Sequence, residues 1–388
     1  MVRLSVENNQ PENFIMKIVS TKRWIHAALC AAVMATLPLA AADASARTVH
    51  AARAPQAAAA AASPEICSSP WTASRIYEAG NVVSFDGRDY TAAYRSQGNA
   101  PATASGEAGS GQPWVAGEAC KPAKLTKAAL DHDANFSPAT LQFLKDNTGL
   151  DGEQWDNIMK LVNKPEQDSL DWTKFYGYCE DIGDDRGYTM GIFGATTGGP
   201  NDGGPDGPAL FKAYDAASGA SNPSVQGGLA RIGAHGSMQG SILKITDSEK
   251  VFCGKVKGLQ NDAAWREAMW RTFYSVYIQY SVQQAQSRGF GSALTIGSFV
   301  DTALNQGADG GSNTLQGLLS RSGNSSDEKT FMTSFYAQRT KVVDTHDFNQ
   351  PPNGKNRVKQ WSTLMNQGIT SLKNCDADIV KVTSWKMK

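Results

Sequence analysis

Along this chain the spacing of apolar residues changes character near residue 123. Beyond it they recur with the period of about 3.6 that marks amphipathic helices, and before it they alternate as in strands. Asp151 to Gln154 is a capping box, and Trp155, Ile158, Met159 and Val162 follow on one face, which predicts a helix to about Asn163. Ser137-Pro138 opens another helix. Asp262 caps a long one carrying Trp265, Met269, Phe273, Val276 and Tyr280 until Gly289 ends it. Later helices are predicted over about 294–306, 328–343 and 357–372, and strand-like sequence lies mainly between 175 and 197. The pattern is that of an α+β unit, mostly helical, with one hairpin region and no internal repeat.

The alternating part is smaller. In residues 64–122, "NVVSFDGRDYTAAY" alternates about a turn at Asp86-Gly87 and predicts a hairpin. So small an all-β unit buries little apolar surface, and a cross-link between its ends would compensate. Residues 47–63 are alanine-rich, lack large apolar side chains and read as a linker. Residues 1–46 read as a secretory signal: Lys17, Lys22 and Arg23, an apolar run from Trp24 to Ala42, and the small-residue cleavage site Ala44-Ser45-Ala46, with Met16 as an alternative start. The expected domains are therefore 1–46, 47–63, 64–122 and 123–388.

Charge and cysteine content narrow the setting. Lys plus Arg and Asp plus Glu each number 37, and no basic stripe is present, which argues against a nucleic-acid partner. No later stretch is apolar enough for a membrane span. An exported chain forms disulfides. Cys30 leaves with the signal; Cys67 and Cys120 bracket the small unit and are expected to pair. Of the remaining three, Cys179 on a strand and Cys253 in a nearby loop are expected to join, leaving Cys375 unpaired. Neither the cysteines nor the five histidines show metal spacing, so no metal or cofactor is expected, and His235 has no evident partner.

The chemistry concentrates in "PEQDSLDWTKFYGYCEDIGDDRGYTMGIFG". Glu166 lies at a helix exit and Asp184 at the hairpin bend 18 positions later, so two carboxylates from different elements can face one groove. Glycoside hydrolysis needs such a pair, one acid and one base. Pro165 and an apolar helix lie behind Glu166, a setting in which a carboxyl keeps a proton to donate. Asp184 sits among Asp185, Arg186 and backbone donors, a setting that suits a base. Spacing alone also fits ordinary solvated caps.

The whole pattern, Glu-Gln, then Tyr176, Asp-x-Arg-Gly-x-Thr at 184–189, Phe193-Gly194 and a later Asp, resembles the signature of the chitosanases of glycoside hydrolase family 46 and their sister families 75 and 80. "SLDW" and "DIGDDRGYT" are its most specific parts, and the likeness extends more weakly over about residues 124–380. The resemblance implies a two-lobed lysozyme-like fold that hydrolyses β-1,4 glucosamine linkages with inversion. It puts Glu166 in the place of the general acid, Asp184 in that of the base, Thr189 where a hydroxyl helps hold the attacking water, and Arg186 where a guanidinium braces the loop. A buried acid-supporting chain would be Asp301, Arg339 and Arg357. The closing Asp would be Asp202 or Asp206. Glu180, Asp181, Asp184, Asp185, Asp202 and Asp206 would give a groove attractive to a polycation while the net charge stays at zero.

"YEAGNVVSFDGRDYTAAYRSQGNAP" is similar to chitin-binding modules of carbohydrate-binding families 5 and 12. Trp71, Tyr77, Tyr90 and Trp114 fit that frame mostly as core, and Tyr94 is the exposed platform on which a sugar face would pack. Arg95 stands where a second aromatic is usual. The expectation is a secreted, monomeric endo-chitosanase that acts on chitosan, with chitin as a second candidate partner. Its rivals are a lysozyme-like hydrolase of chitin or peptidoglycan and a non-catalytic polysaccharide-binding protein.

Overall fold

The structure, a computed structural model, describes residues 65–68, 70, 71, 73, 76–121, 131–344 and 349–388. The expected signal, the linker and the boundary at 122/123 lie outside the described residues.

Before residue 122 the chain is made of short strands: β1 (Glu65–Ile66), β2 (Ile76–Tyr77), β3 (Val82–Phe85), β4 (Arg88–Ala92), β5 (Ser96–Gln97), β6 (Ser105–Gly106) and β7 (Trp114–Lys121). They order as β1-β7-β4-β3 with β6 beside β7, and β2 pairs with β5. The β3–β4 hairpin turns at Asp86 (φ 49°) and Gly87 (φ 72°), both in the left-handed region that Asp-Gly tolerates. Tyr77, Val83, Ala92 and Trp114 form its small core, with Trp71 and Tyr90 packed against it. Cys67 is joined to Cys120, Cα to Cα 4.8 Å. This sheet rests on the helical part: Lys381 Nζ donates to Asp89 Oδ2 and, at 3.2 Å, to Ser68 Oγ, and Asn81 Nδ2 donates to the Gln367 carbonyl.

The remainder is helix-rich. Its strands are β8 (Cys179–Asp181), β9 (Tyr188–Met190) and β10 (Ala195–Thr196) in the order β10-β9-β8, and the hairpin β11 (Gly236–Gln239) and β12 (Ile242–Ile245). The helices are α1 (Pro138–Thr148), α2 (Gly152–Gln167), α3 (Gly207–Ala217), α4 (Val225–Arg231), α5 (Glu249–Lys257), α6 (Ala263–Phe273), α7 (Gln279–Gln286), α8 (Ala293–Gln306), α9 (Leu315–Arg321), α10 (Glu328–Val342), α11 (Asn353–Asn366) and α12 (Asp376–Val382). They enclose one large core in which Trp155, Trp172, Trp265, Trp270 and Trp361 are buried. Among the described residues no helix is long and apolar enough to cross a membrane.

Several boundaries differ from expectation for physical reasons. The helix capped by Asp262 is broken by a π-turn over Tyr274–Ile278 into α6 and α7. The helix expected over 357–372 starts at Asn353, directly after Pro351-Pro352, and stops at Asn366 because Gly368 takes φ 71°. Ile369 and Leu372 are buried all the same, reaching the core from the segment that follows the helix. A second hairpin, β11–β12, turns at Gly240 (φ 62°) where one hairpin region was expected. Helices such as α4, seven residues long, are too short for periodicity to register.

Candidate active site

Helix α2 delivers the first carboxylate. Asp151 and Gln154 form the reciprocal capping box that starts it, and Trp155, Ile158, Met159 and Val162 are buried along its inner face. The helix does not stop at Asn163 but runs through Pro165 to Gln167, where Asp168 takes the left-handed conformation (φ 50°) and closes it. Glu166 thus stands in the last helical turn, its side chain 34% exposed.

The carboxylate of Glu166 does not face an apolar wall. Its Oε1 forms an ion pair with Arg357 Nη1 at 2.6 Å. Behind that pair, Arg357 Nε and Nη2 donate to Asp301 Oδ1 at 2.9 and 2.7 Å, Arg339 Nη1 donates to Asp301 Oδ2 at 2.7 Å, and Trp361 Nε1 donates to the same oxygen at 3.0 Å. Gln306 Oε1 accepts from Arg339 Nε at 2.9 Å. Asp301, Arg339 and Arg357 are fully buried. Burial alone would raise the Asp301 carboxyl, yet Arg357 and Arg339 outweigh it and hold it below the usual carboxylate range. For Arg357, burial pulls down, but Asp301 and then Glu166 push it above the ordinary guanidinium value. Two cations around one buried anion leave one positive charge, and Glu166 is the anion it meets. The three residues expected as a supporting chain are therefore joined through Asp301, which meets both arginines, and Arg357 links them to Glu166.

The second carboxylate is held locally. Asp184 lies in the turn between β8 and β9, where Gly183 (φ 70°), Asp185 (φ 59°) and Gly187 (φ 73°) take left-handed conformations. A Cβ on Gly187 would come within 2.7 Å of the Gly198 carbonyl, so the turn packs backbone to backbone there. Arg186 donates to Asp184 twice, from its N–H to Oδ1 at 3.1 Å and from Nε to Oδ2 at 2.6 Å. The disulfide Cys179–Cys253, Cα to Cα 5.1 Å, ties β8 to α5, and Cys375 is free and buried.

Thr189 on β9 is buried, and its Oγ1 makes no hydrogen bond among the described residues. Across the β9–β10 pair lies Thr196, whose hydroxyl donates to Asp202 Oδ2. Asp202 Oδ1 also accepts from Gly204 N at 3.1 Å. Asp206 flanks the start of α3, buried, with Tyr277 Oη donating to it at 3.5 Å. Of the other acidic residues, Asp181 Oδ1 accepts from Gly183 N at 3.0 Å and Glu180 Oε2 accepts from Tyr178 Oη at 2.9 Å. Asp185 Oδ2 accepts from Asn201 Nδ2 at 3.3 Å. In the small sheet Tyr94 is 45% exposed with its hydroxyl on the Gly111 carbonyl, and Arg95 pairs with Glu78.

Two polar clusters escaped the sequence. His235, expected to have no partner, pairs with Asp247 at 2.8 Å, beside Lys255. His132 Nδ1 meets buried Asp156 at 2.7 Å, and its Nε2 meets Asp376 at 3.3 Å and Glu153 at 3.9 Å. These are metal-type ligand atoms. Lys160 already lies 2.7 Å from Asp156 and 3.0 Å from Asp376, so the cluster is closed by its own cations. Burial would lower the ring of His132, but the hydrogen bonds of Asp156 and Asp376 push it up to about 9. Gln360 and Trp361 were missed for another reason: each acts on a group far away in the chain. The available signals were their spacing from Arg357 on α11 and a proline inside α2.

Residues 160–375 match the model of glycosyl hydrolase family 46. The chain is 72% identical over 261 residues to a chitosanase of Niallia circulans, covering 67% of this chain and 87% of that protein. It is 41% identical over 78 residues to a chitosanase of Streptomyces sp. (strain N174), 20% of this chain and 27% of that one. A solved family 80 chitosanase of Mitsuaria chitosanitabida aligns over 64% of this chain and 90% of its own, at 17% identity and a TM-score of 0.47. With more than half of its length matched by one family and most of a close relative covered, the chain belongs to glycosyl hydrolase family 46 and is a glycoside hydrolase.

Proposed function

We propose that the chain is a secreted endo-chitosanase that cleaves β-1,4 glucosamine linkages by a single displacement with inversion. Glu166 protonates the leaving oxygen while Asp184 draws a proton from the water that attacks the opposite face, so both must stand at the groove about 6.5 to 9.5 Å apart. Support comes chiefly from one observation: the two carboxylates sit on separate elements, each clamped by its own buried arginine, Arg357 and Arg186. A side chain held in this way loses little freedom on reaching the reactive geometry. Thr189 fits the role of a water holder, because a buried hydroxyl without a partner is costly unless it serves a ligand. The relatives named chitosanase supply the substrate class. Chitosan is a polycation, and the exposed carboxylates around the β8–β9 turn would attract it.

Glu166→Gln and Asp184→Asn should each lower kcat by at least ~10²-fold, since an amide keeps the shape but cannot pass the proton. The wild type should release the α-anomer from a β-linked oligomer. Early accumulation of the β-anomer in an NMR time course would sink the mechanism, and cleavage of N-acetylglucosamine oligomers in preference to glucosamine ones would favour a lysozyme-like hydrolase. The residues 64–122 unit is read as a module for solid chitin or chitosan with Tyr94 as its platform. Tyr94→Ala should reduce retention on the solid polymer while leaving turnover of soluble oligomers unchanged, and undiminished retention would remove Tyr94 from this role.

A further inference from the structure

Pro165 creates a problem inside α2 that another helix solves. In an α-helix residue 165 would donate its N–H to the carbonyl of Leu161, but proline has none, and its ring crowds that same carbonyl. Leu161 is fully buried, so water is no substitute partner for its oxygen, and an orphaned buried carbonyl is costly. Gln360 from α11 fills the place: its Nε2 donates to the Leu161 carbonyl at 2.6 Å. Gln360 is itself buried, and its Oε1 accepts from Trp385 Nε1 at 3.3 Å, so only one orientation of the amide satisfies both contacts.

The placement of Gln360 gives this contact its significance. It lies three residues after Arg357 on α11, one turn along the same face. The helix that grips the Glu166 carboxylate through Arg357 therefore also grips the backbone five residues before it, at Leu161, through Gln360. The proline-weakened end of α2 is fixed at two points by one rigid element. Without the second grip, the last turn would hang from a chain that has lost an internal hydrogen bond, and the carboxylate would swing on it.

We propose that Gln360 is a positioning residue for the reaction: by donating to the carbonyl that Pro165 leaves unpaired, it sets the end of α2 so that Glu166 meets Arg357 and the substrate. This rests on the reading of Glu166 as the proton donor.

The test uses Gln360→Met, which keeps length without a donor, in the full chain and in a Pro165→Ala background, where alanine returns the missing N–H to Leu161. Gln360→Met should lower kcat on glucosamine oligomers about 10-fold with KM within about twofold, as expected when a group needed in the transition state is misplaced. The double variant should have the kcat of Pro165→Ala alone to within about twofold, because the orphan carbonyl no longer exists. Full kcat in folded Gln360→Met overturns the proposal, as does an equal loss in both backgrounds. If Gln360→Met does not fold, the double variant should fold and work, and its failure to do so overturns the proposal too. Should Glu166→Gln prove active, the functional reading falls instead. The coupling between positions 165 and 360 would then still be read in melting midpoints.

Discussion

The two candidate catalytic carboxylates are each held by an arginine, yet the arginines come from opposite extremes of chain separation. Arg186 is two residues from Asp184, in a turn whose left-handed positions are built from Gly183, Asp185 and Gly187. Arg357 is 191 positions from Glu166 and is itself held by Asp301, which also binds Arg339 and Trp361 from two different helices. The Asp184 clamp is a local device that a short peptide segment largely specifies. The other exists only when four helices, α2, α8, α10 and α11, are assembled. Breaking the first should cost activity more than stability, and breaking the second should cost both.

The largest effect is expected for Asp301→Asn. It leaves Arg339 buried without its counter-ion and Arg357 with Glu166 alone, which should cost about 3–5 kcal/mol of unfolding free energy and nearly all activity. Urea unfolding measures the first quantity, and a loss under ~1 kcal/mol would mean that the buried cluster does not hold the helices.

A smaller effect concerns the other end of the same region, where His132 ties the chain before α1 to Asp156 on α2 and Asp376 on α12. Its folded-state value, about 9, lies above the ordinary 6.5. The stabilisation is therefore complete below the ordinary value and lost as pH rises through about 9. Asp156 and Asp376 are shifted the opposite way, downward against burial by His132 and Lys160, so their share disappears only as pH falls below the ordinary carboxylate range. Because the side chain keeps 13% of its surface exposed and its pairs are partly screened, His132→Asn should remove about 1–2 kcal/mol at neutral pH. It should also flatten the decline in stability on the alkaline side, and a variant whose melting midpoint still tracked that of the parent above neutrality would assign the decline elsewhere.

The smallest stability change is expected for Arg186→Met. The carboxylate of Asp184 keeps its backbone donor and contact with water, so unfolding should shift by about 1 kcal/mol or less, while kcat falls about 10-fold if the proposed base loses its orientation. Equal losses in stability and turnover would erase the contrast between the two sides.

Much of this was legible from residues alone where the signal is local. Ser137, Asp151 and Asp262 cap helices through their own side chains, and the Asp86-Gly87 hairpin turns where its residues tolerate positive φ. The positions of Glu166, Asp184, Thr189 and Arg186 came from one continuous stretch. The end of α2 was misread because a proline normally stops a helix, and the group that lets it continue lies 195 positions downstream, at Gln360. The apolar surroundings expected for Glu166 were misread for a similar reason: the guanidinium that faces it belongs to α11.

By itself, then, the sequence determined the elements whose hydrogen bonds close within a few residues, the family signature, and the pairing of Cys67 with Cys120 across one small unit. It took the assembled fold to join Asp301, Arg339, Arg357 and Glu166 into one connected ion cluster, to bring Gln360 to a proline-broken helix, and to clasp His132 between two carboxylates. The physical reason is common to all three. A buried charge or an unpaired carbonyl must be satisfied by something, but its own neighbours in the chain do not say by what.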